Sequence, residues 1–313
     1  MQTRNVGRSG LAVSLVGLGC NNFGTLDLER SRKVVHRALD LGITLFDTAD
    51  VYGSRGGSEE QLGEILGARR KDIVLATKFG MQMDDAGTKV GASRRYIVSA
   101  LEASLTRLKT DWIDLYQLHR ADSKTPIEET LSALDDLVRA GKVRYVGCSN
   151  VPAWSVVDAS WTARDLKSSR FICAQDEYSL LVREAERELS PALESHGMGL
   201  IPYFPLASGL LTGKYTQGAA VPEGTRMSLI KRLADRYMTE RNWRIVEQLE
   251  TFCALNGHTL LELAFSWLAR RPPVASIIAG ATKPEQVEQN VKAVEWNLTP
   301  EELAEVDRLT AKA

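Results

Sequence analysis

Short apolar segments alternate with longer amphipathic segments along almost the whole chain. Eight runs have the length and composition of buried strands, at residues 15–19, 44–47, 73–78, 112–119, 144–148, 171–175, 199–204 and 275–279. Between them, apolar residues recur every three or four positions, which predicts helices at 27–41, 59–66, 93–108, 126–140, 152–163, 184–196 and 259–271. This α/β alternation predicts a single (β/α)8 TIM barrel that forms one domain over residues 1–313.

Both ends of the chain carry signals outside the alternation. The sequence GRSG at 7–10, between two β-prone runs, predicts an N-terminal β-hairpin, which we expect to plug the N-terminal face of the barrel. The sequence TPEE opens a helical pattern at 299–310, so extra helical structure is expected at the C-terminus.

Local signals also mark one helix start and one long connection. Thr125 before Pro126 predicts an N-cap followed by a first-turn proline, and Gly141 predicts the end of that helix. Residues 216–241 show no clear periodicity. A connection of this length in a compact domain is usually functional, and we expect it to cover a ligand.

Composition narrows the possible partners. The 39 basic and 40 acidic residues give a net charge of −1, and basic residues are scattered, so no nucleic-acid partner is expected. The N-terminus lacks a leader pattern and no apolar run approaches 18 residues, which predicts a cytoplasmic protein without membrane contact. Cysteines at 20, 148, 173 and 253 form no CxxC pair, which predicts reduced, mostly buried thiols and no metal site. The sequence does not decide between a monomer and a homo-oligomer.

Ionisable residues gather where predicted strands end. Asp47, Lys78 and His119 each close a strand, and Tyr52 follows Asp47 in DTADVYG. Because the carboxyl ends of parallel barrel strands share one face, we expect these side chains to meet in one pocket. A lysine ammonium would lower the pKa of Tyr52, Asp47 would keep Lys78 charged, and His119 would donate a hydrogen bond to a substrate oxygen.

Several motifs in this order resemble the aldo-keto reductases. They are FDTADVYG, LATKFG, YQLHR, VGCSN, PYFPLASGLLTGKY and GATKPEQVEQN, and the chain looks closest to the bacterial and potassium-channel-β-like branch. The resemblance implies an oxidoreductase with Tyr52 as general acid, Lys78 and Asp47 as its electrostatic support, and His119 as orienter of the carbonyl.

The resemblance also implies a nicotinamide cofactor held at the barrel mouth. The glycine fingerprint of dinucleotide-binding folds is incomplete in GLGCNNFG, which disfavours a Rossmann domain. By the resemblance, Ser149, Asn150 and Gln175 hold the carboxamide and Tyr203 stacks on the ring. The remaining predicted cofactor residues are Phe204, Pro205, Leu206, Ser208, Lys214, Arg226, Gly280, Thr282, Lys283, Gln286, Gln289 and Asn290.

Three of these positions depart from the family pattern. Phe204 stands where relatives often carry serine, and Gly280 and Gln286 stand where strongly NADP-specific members carry basic residues. Positive charge is then left to Lys283, with Arg226 and Lys214 as further candidates, and NADP(H) is the expected cofactor, with NAD(H) as the alternative.

The expected substrate is a small carbonyl or hydroxyl compound. Asn22, Phe23, Met81 and the 216–241 connection are its predicted walls, without a charged anchor. Two other functions stay open: an NAD(P)-dependent sugar or polyol dehydrogenase, and a cofactor-sensing regulatory subunit. A hydrolase or lyase using Asp47 and His119 is disfavoured because no metal-ligand cluster supports it. The natural substrate and the direction of reaction are not predicted.

Overall fold

The architecture is a parallel barrel surrounded by helices, seen in a computed structural model that describes residues 1–311. The strands are β1 (Thr3–Asn5), β2 (Ala12–Ser14), β3 (Val16–Gly19), β4 (Leu45–Asp47), β5 (Val74–Phe79), β6 (Ile113–Leu118), β7 (Val143–Ser149), β8 (Phe171–Gln175), β9 (Gly199–Leu200) and β10 (Ile277–Gly280). The helices are α1 (Leu28–Asp40), α2 (Tyr52–Leu66), α3 (Arg94–Leu108), α4 (Ile127–Arg139), α5 (Ala153–Leu166), α6 (Leu189–His196), α7 (Arg226–Leu229), α8 (Lys231–Tyr237), α9 (Glu240–Asn256), α10 (Leu260–Ala269), α11 (Pro284–Lys292) and α12 (Pro300–Thr310). Short 3₁₀ segments lie at Gly67–Asp72, Glu184–Glu186 and Ala207–Thr212.

The eight strands β3 to β10 form one parallel sheet in the order β10-β3-β4-β5-β6-β7-β8-β9. The ring closes between its two outer members, where Leu200 forms a parallel bridge with Val274. The backbone N–H of Ala275 donates to the Leu200 carbonyl oxygen there at 2.9 Å. The predicted (β/α)8 barrel is therefore confirmed, and all eight strands direct their carboxyl ends to one face.

The predicted N-terminal hairpin is confirmed as the antiparallel pair β1 and β2. Its apolar side chains Val6, Leu11 and Val13 are buried in one cluster with residues of the barrel interior, which include Leu45, Leu115 and Ile201. The Arg4 guanidinium also donates to the carbonyl oxygens of Val274 and Ala269, before β10. The hairpin thus fills the N-terminal end of the barrel. The polar residues that end the strands lie at the opposite end.

Most helix boundaries agree with the sequence prediction, because the caps are those that the sequence indicates. Asp27, Ser93, Thr259 and Thr299 accept backbone hydrogen bonds at the starts of α1, α3, α10 and α12. The predicted N-cap Thr125 is wrong. Pro126 occupies the cap position of α4, and the Thr125 hydroxyl instead donates to Asp122 at 2.8 Å.

Three elements differ from the prediction in extent. The strand expected at 199–204 contains only β9, because Pro202 lacks a backbone N–H and Phe204 adopts a φ of 52°. The helix expected at 184–196 is split into a 3₁₀ turn and α6. The connection at 216–241 is partly helical, since it contains α7 and α8.

Two further findings concern the whole described chain. All four cysteines are free and buried, as predicted. Within residues 1–311, none of the helices combines the length and apolar character that a membrane crossing requires.

Candidate active site

The four strand-end residues meet at the carboxyl face of three neighbouring strands. Asp47 ends β4, Lys78 lies on β5, His119 directly follows β6, and Tyr52 begins α2. The Lys78 ammonium lies 2.7 Å from Asp47 Oδ2 and 3.5 Å from the Tyr52 hydroxyl. The rings of Tyr52 and His119 make an edge-to-face contact with centroids 5.6 Å apart. The prediction that these side chains converge agrees with this geometry.

Asp47 and Lys78 form a buried ion pair whose remaining hydrogen-bonding capacity is satisfied. Their side chains are 4% and 0% exposed. Asp47 Oδ1 accepts hydrogen bonds from Gln175 at 2.8 Å and Gln117 at 3.3 Å, and Lys78 also donates to the Thr48 carbonyl oxygen. A buried ion pair persists only when such additional partners compensate the loss of water. The arrangement fixes one ammonium beside the Tyr52 hydroxyl.

Gln117 is a member of this network that the sequence analysis missed. It is fully buried on β6, between apolar neighbours. A lone amide in the middle of an apolar strand must find a partner, and that partner is Asp47. This polar interruption of YQLHR is the signal that would have found Gln117.

The electrostatics of the site correct one expectation. Burial raises the pKa of Tyr52 above its ordinary value; Lys78 lowers it, as predicted, but does not outweigh burial. Burial alone would lower the pKa of Lys78. The interactions with Asp47 and Tyr52 raise that pKa by more, so it lies above its ordinary value. Burial, then the charges of Lys78 and Arg120, lower the pKa of His119 to about 3. Near neutral pH the site therefore holds a phenol, an ammonium and a neutral imidazole.

An unusual backbone turn follows Tyr52. Residues Gly53, Ser54, Arg55 and Gly56 all have positive φ, so the chain makes a left-handed turn before α2 continues. It packs directly on Gly24, where a Cβ atom would lie 2.6 Å from the Gly53 Cα. Such backbone conformations are unfavourable outside glycine and concentrate at functional sites.

The predicted substrate residues lie at different depths. Phe23 is fully buried in the core between barrel and helices. Met81 is partly buried, and its carbonyl oxygen accepts a 3.5 Å hydrogen bond from the Tyr96 hydroxyl. Asn22 lies beside Gly280, where a Cβ atom would be 3.0 Å from the Asn22 amide. Only Met81 and Asn22 thus keep part of their surface accessible.

Three of the residues predicted to hold the nicotinamide form one chain of side-chain hydrogen bonds. The Tyr203 hydroxyl donates to Asn150 Oδ1 at 2.8 Å, and the Asn150 amide donates to Ser149 Oγ at 2.8 Å. Asn150 adopts a φ of 53°. Because Gln175 donates to Asp47, this group adjoins the four strand-end residues.

The segment after Tyr203 has an irregular backbone lined by positive charge. Phe204, Ala207 and Ser208 have positive φ values. The Arg226 guanidinium lies 4.9 Å from the centroid of the Phe204 ring. A Cβ atom on Gly209 would lie 2.8 Å from the Lys214 ammonium, so Lys214 covers this segment. Pro205 and Leu206 belong to the same turn, in which the Leu206 carbonyl oxygen accepts from the Gly209 N–H.

The last predicted cofactor segment lies at the start of α11. Gln286 Oε1 accepts hydrogen bonds from the backbone N–H groups of Thr282 at 2.7 Å and Lys283 at 3.2 Å. Gln286 therefore caps the helix, while the Lys283 and Gln289 side chains are exposed and Asn290 is buried. Gly280 ends β10 at the same face of the barrel.

A cavity of about 890 Å³ reaches Tyr203, one of the predicted cofactor residues. Tyr203 and Asp176 line the cavity, whereas Asp47, Tyr52, Lys78 and His119 do not. The four strand-end residues are thus not part of the lining of this cavity.

The comparisons with known proteins agree with this architecture. A sequence model of the aldo/keto reductase family matches residues 15–311. The chain is 39% identical over 303 residues to a probable voltage-gated potassium channel subunit beta of Arabidopsis thaliana, with 94% of this chain and 92% of that protein covered. It is 37% identical over 322 residues to the L-glyceraldehyde 3-phosphate reductase of Escherichia coli K12, with coverages of 98% and 92%. It is 33% identical over 332 residues to the versiconal hemiacetal acetate reductase of Aspergillus parasiticus, with coverages of 97% and 95%.

The match to the family model extends over nearly the whole barrel, from the residue before β3 to the end of α12. The relatives include both bacterial reductases and channel-β-like proteins, so the resemblance to that branch is confirmed. The chain belongs to the aldo/keto reductase family of oxidoreductases.

Proposed function

We propose that this protein is an NADP(H)-dependent reductase that converts aldehydes or ketones to alcohols with Tyr52 as the general acid. The observation that carries the proposal is the buried Lys78–Asp47 ion pair, whose ammonium lies 3.5 Å from the Tyr52 hydroxyl. Two of the relatives described above are named as reductases, which supports the same reaction class.

The side chains of the site have complementary roles in this reaction. A reduced nicotinamide held by Ser149, Asn150, Gln175 and Tyr203 would supply the hydride for the carbonyl carbon. The Tyr52 hydroxyl gives its proton to the carbonyl oxygen as negative charge develops there. The resulting phenolate is stabilised by the Lys78 ammonium, and Asp47 keeps that ammonium in place.

His119 acts as a neutral group. With a pKa lowered to about 3 it carries no charge at neutral pH, so it orients the carbonyl oxygen by hydrogen bonding rather than by proton transfer. Its Nδ1 atom is buried and has no hydrogen-bond partner among residues 1–311. A polar substrate atom beside Tyr52 would satisfy such a ring.

The residues present fit a nicotinamide dinucleotide. Buried polar atoms without a partner in the described chain include Ser208 Oγ, within the irregular segment after Tyr203, and Arg226 Nε, whose guanidinium lies over the Phe204 ring of that segment. In this proposal Ser149, Asn150 and Gln175 hold the carboxamide and Tyr203 stacks on the ring. Backbone groups of Phe204, Pro205 and Leu206, with Ser208, receive the pyrophosphate, and Gly280, Thr282, Gln289 and Asn290 border the adenosine.

The preference for NADP(H) rests on positive charge. Lys214, Arg226 and Lys283 are the cations at the proposed dinucleotide site, and phosphate groups bind such cations through charge-assisted hydrogen bonds. Gln286 supplies no charge and caps α11. NAD(H) is the alternative, and it would suit a sugar or polyol dehydrogenase that works in the oxidative direction.

The regulatory-subunit alternative is favoured by one observation, the 39% identity to a probable potassium channel subunit beta. Such a subunit would bind the cofactor without rapid turnover. We therefore separate binding from turnover in the test.

Fluorescence titration with NADPH and NADH, followed by turnover of an aldehyde panel, tests the proposal together with Tyr52→Phe. We expect tighter binding of NADPH, and we expect the variant to keep cofactor affinity but lose roughly 10²- to 10⁴-fold in turnover, because only the proton donor is removed. Tyr145→Phe is the matched control, since Tyr145 lies at the opposite end of the barrel beside the hairpin residue Gly10. Equal turnover in Tyr52→Phe would refute the role of Tyr52, and binding without turnover by the wild type would favour the regulatory function.

A further inference from the structure

Asp176 lies next to the residues proposed to hold the nicotinamide. It follows Gln175, the last residue of β8, and its backbone carbonyl oxygen accepts a hydrogen bond from the Tyr203 N–H at 3.0 Å. The backbone N–H of Asn150 faces its carboxylate. Three of the proposed nicotinamide residues, Asn150, Gln175 and Tyr203, are therefore direct neighbours of this one acid.

One oxygen of the Asp176 carboxylate has no hydrogen-bond partner, and the carboxylate has no cationic partner among residues 1–311. Its Oδ2 atom is buried and has no hydrogen-bond partner within residues 1–311. It forms none of the ion pairs found in the described chain. Burial raises the pKa of Asp176 to about 7, although the Asn150 N–H opposes this shift. Both the neutral and the ionised form of Asp176 are therefore populated near neutral pH.

The charged groups that border the same cavity largely neutralise one another. Glu177 pairs with Arg236 at 2.5 Å and accepts from Tyr237, and Arg183 pairs with Glu186 and Asp307. Arg187 lies 3.8 Å from Glu188, and Arg241 donates a hydrogen bond to Asn242. Glu184 also lines this cavity. The charge of Asp176 acts on Tyr203, whose pKa is raised by burial and then by Glu177 and Asp176. Glu177 also adjoins Tyr203, but it is paired with Arg236, whereas Asp176 has no such cationic partner among residues 1–311.

We infer that Asp176 makes the protein discriminate between the oxidised and the reduced cofactor, by placing a negative charge behind the site proposed for the nicotinamide ring. The inference rests on the proposed function. The oxidised ring is a cation and the reduced ring is neutral, whereas the phosphates of the two forms are the same. An ionised Asp176 therefore stabilises the oxidised form alone, through Coulomb attraction in a partly buried region.

The sign of the pH dependence follows. Below the pKa of Asp176 the side chain is neutral, and the two cofactor forms lose this source of discrimination. Above that pKa the carboxylate is charged and the oxidised form binds more tightly. By linkage, binding of the oxidised form also lowers the pKa of Asp176 and releases part of a proton.

The test is calorimetric titration of the full-length protein with NADP⁺ and with NADPH at pH values from 5.5 to 8.5. The quantity compared is the ratio of the two Kd values, because titration of the shared phosphates cancels in it. We expect the ratio Kd(NADP⁺)/Kd(NADPH) to fall at least about threefold between pH 6 and pH 8.5 in the wild type. In Asp176→Asn we expect a ratio that is independent of pH and close to the wild-type value at low pH.

Glu188→Gln is the matched control, since it removes an exposed carboxylate from the same cavity wall. It should keep the pH dependence of the wild type. A pH-independent ratio in the wild type, or an Asp176→Asn variant that behaves like the wild type, would overturn the inference while leaving the proposed function intact. If neither cofactor binds the wild type, the proposed function fails, and this inference fails with it. Should Asp176→Asn fail to fold, the wild-type ratio alone still decides.

Discussion

Asp50 lies in the sequence between Asp47 and the proposed general acid Tyr52. Its carboxyl group is buried and has no hydrogen-bond partner in the described chain. Burial, followed by the charge of Glu59, raises the pKa of Asp50 to about 8, while Arg107 and Lys78 act in the opposite direction. Glu59 itself pairs with Arg107 at 2.7 Å. Asp50 therefore holds a proton at neutral pH in the folded protein.

Replacement of Asp50 by asparagine should change how stability depends on pH. In the wild type the folded state retains the Asp50 proton from about pH 4 to about pH 8, whereas the unfolded state has lost it. The free energy of unfolding therefore falls as pH rises through this window. Asp50→Asn removes this contribution and should be more stable than the wild type at pH 7 by on the order of 1–3 kcal/mol. Urea unfolding at pH 5, 6, 7 and 8 measures the difference, with the exposed Asp111→Asn as the control. A difference that does not grow with pH would contradict the assigned protonation.

At this scale the sequence was informative wherever a polar residue closes an apolar run. Asp47, Lys78 and His119 were found in that way, and their convergence followed from the parallel barrel alone. The net pKa of Tyr52 was predicted in the wrong direction, because the extent of burial that opposes Lys78 is a tertiary property. Gln117 was missed for a similar reason, since its partner Asp47 lies 70 residues away in the chain.

Among the elements, α7 packs against the irregular segment after Tyr203, and the Arg226 guanidinium lies over the Phe204 ring. Burial lowers the pKa of Arg226, and its Nε atom has no partner within residues 1–311. In the proposed site, this guanidinium with its unpartnered Nε–H would donate a hydrogen bond to a phosphate oxygen.

We predict that Arg226→Ala weakens NADPH binding roughly 10- to 100-fold, because one charge-assisted hydrogen bond contributes about 1.5–3 kcal/mol. The fold should be unaffected, since the stacking face of Phe204 remains. Fluorescence titration measures the loss, and Arg244→Ala, on the exposed face of α9, is the control. Unchanged NADPH affinity in Arg226→Ala would remove Arg226 from the proposed site.

The elements themselves were predictable to different degrees. Strands and capped helices followed from local pattern. Helix α9 was not assigned, although Ile245, Val246, Leu249 and Cys253 are buried at helical spacing and Thr239 caps its start. The preceding stretch without periodicity obscured that signal. The end of β9 depends on Phe204, whose left-handed backbone follows from the packing of the turn rather than from residue preference.

At the scale of the whole molecule, the N-terminal hairpin packs against the closed, N-terminal end of the barrel. Gly7, with a φ of 57°, lies so close to the β9 entry that a Cβ atom would be 2.4 Å from the Gly197 carbonyl oxygen and 2.7 Å from the Gly199 nitrogen. Neither atom can move without disturbing the strand. The hairpin and the barrel therefore pack as one unit at this point.

Gly7→Ala should destabilise the protein far more than an alanine at an open glycine. Gly257, with a φ of 72° and open space around it, is the matched control, and its replacement should cost about 1–2 kcal/mol from backbone strain alone. Gly7→Ala should lose at least about 1–3 kcal/mol more, because backbone atoms must shift. Urea unfolding of both variants gives the two values. Equal losses would mean that the hairpin can move away from the barrel at little cost.

The closure of the barrel between β9 and β10 has a consequence for incomplete chains. Asp47, Tyr52, Lys78, His119 and Gln175 all precede residue 176, yet the strand that pairs with β3 to complete the ring begins only at Ile277. A growing chain on the ribosome, or an N-terminal proteolytic fragment, therefore carries these five proposed site residues long before the ring can close around them. We therefore expect the proposed activity to appear during synthesis or refolding only once β10, the last strand, has joined the ring, and to be absent from a chain that ends before it.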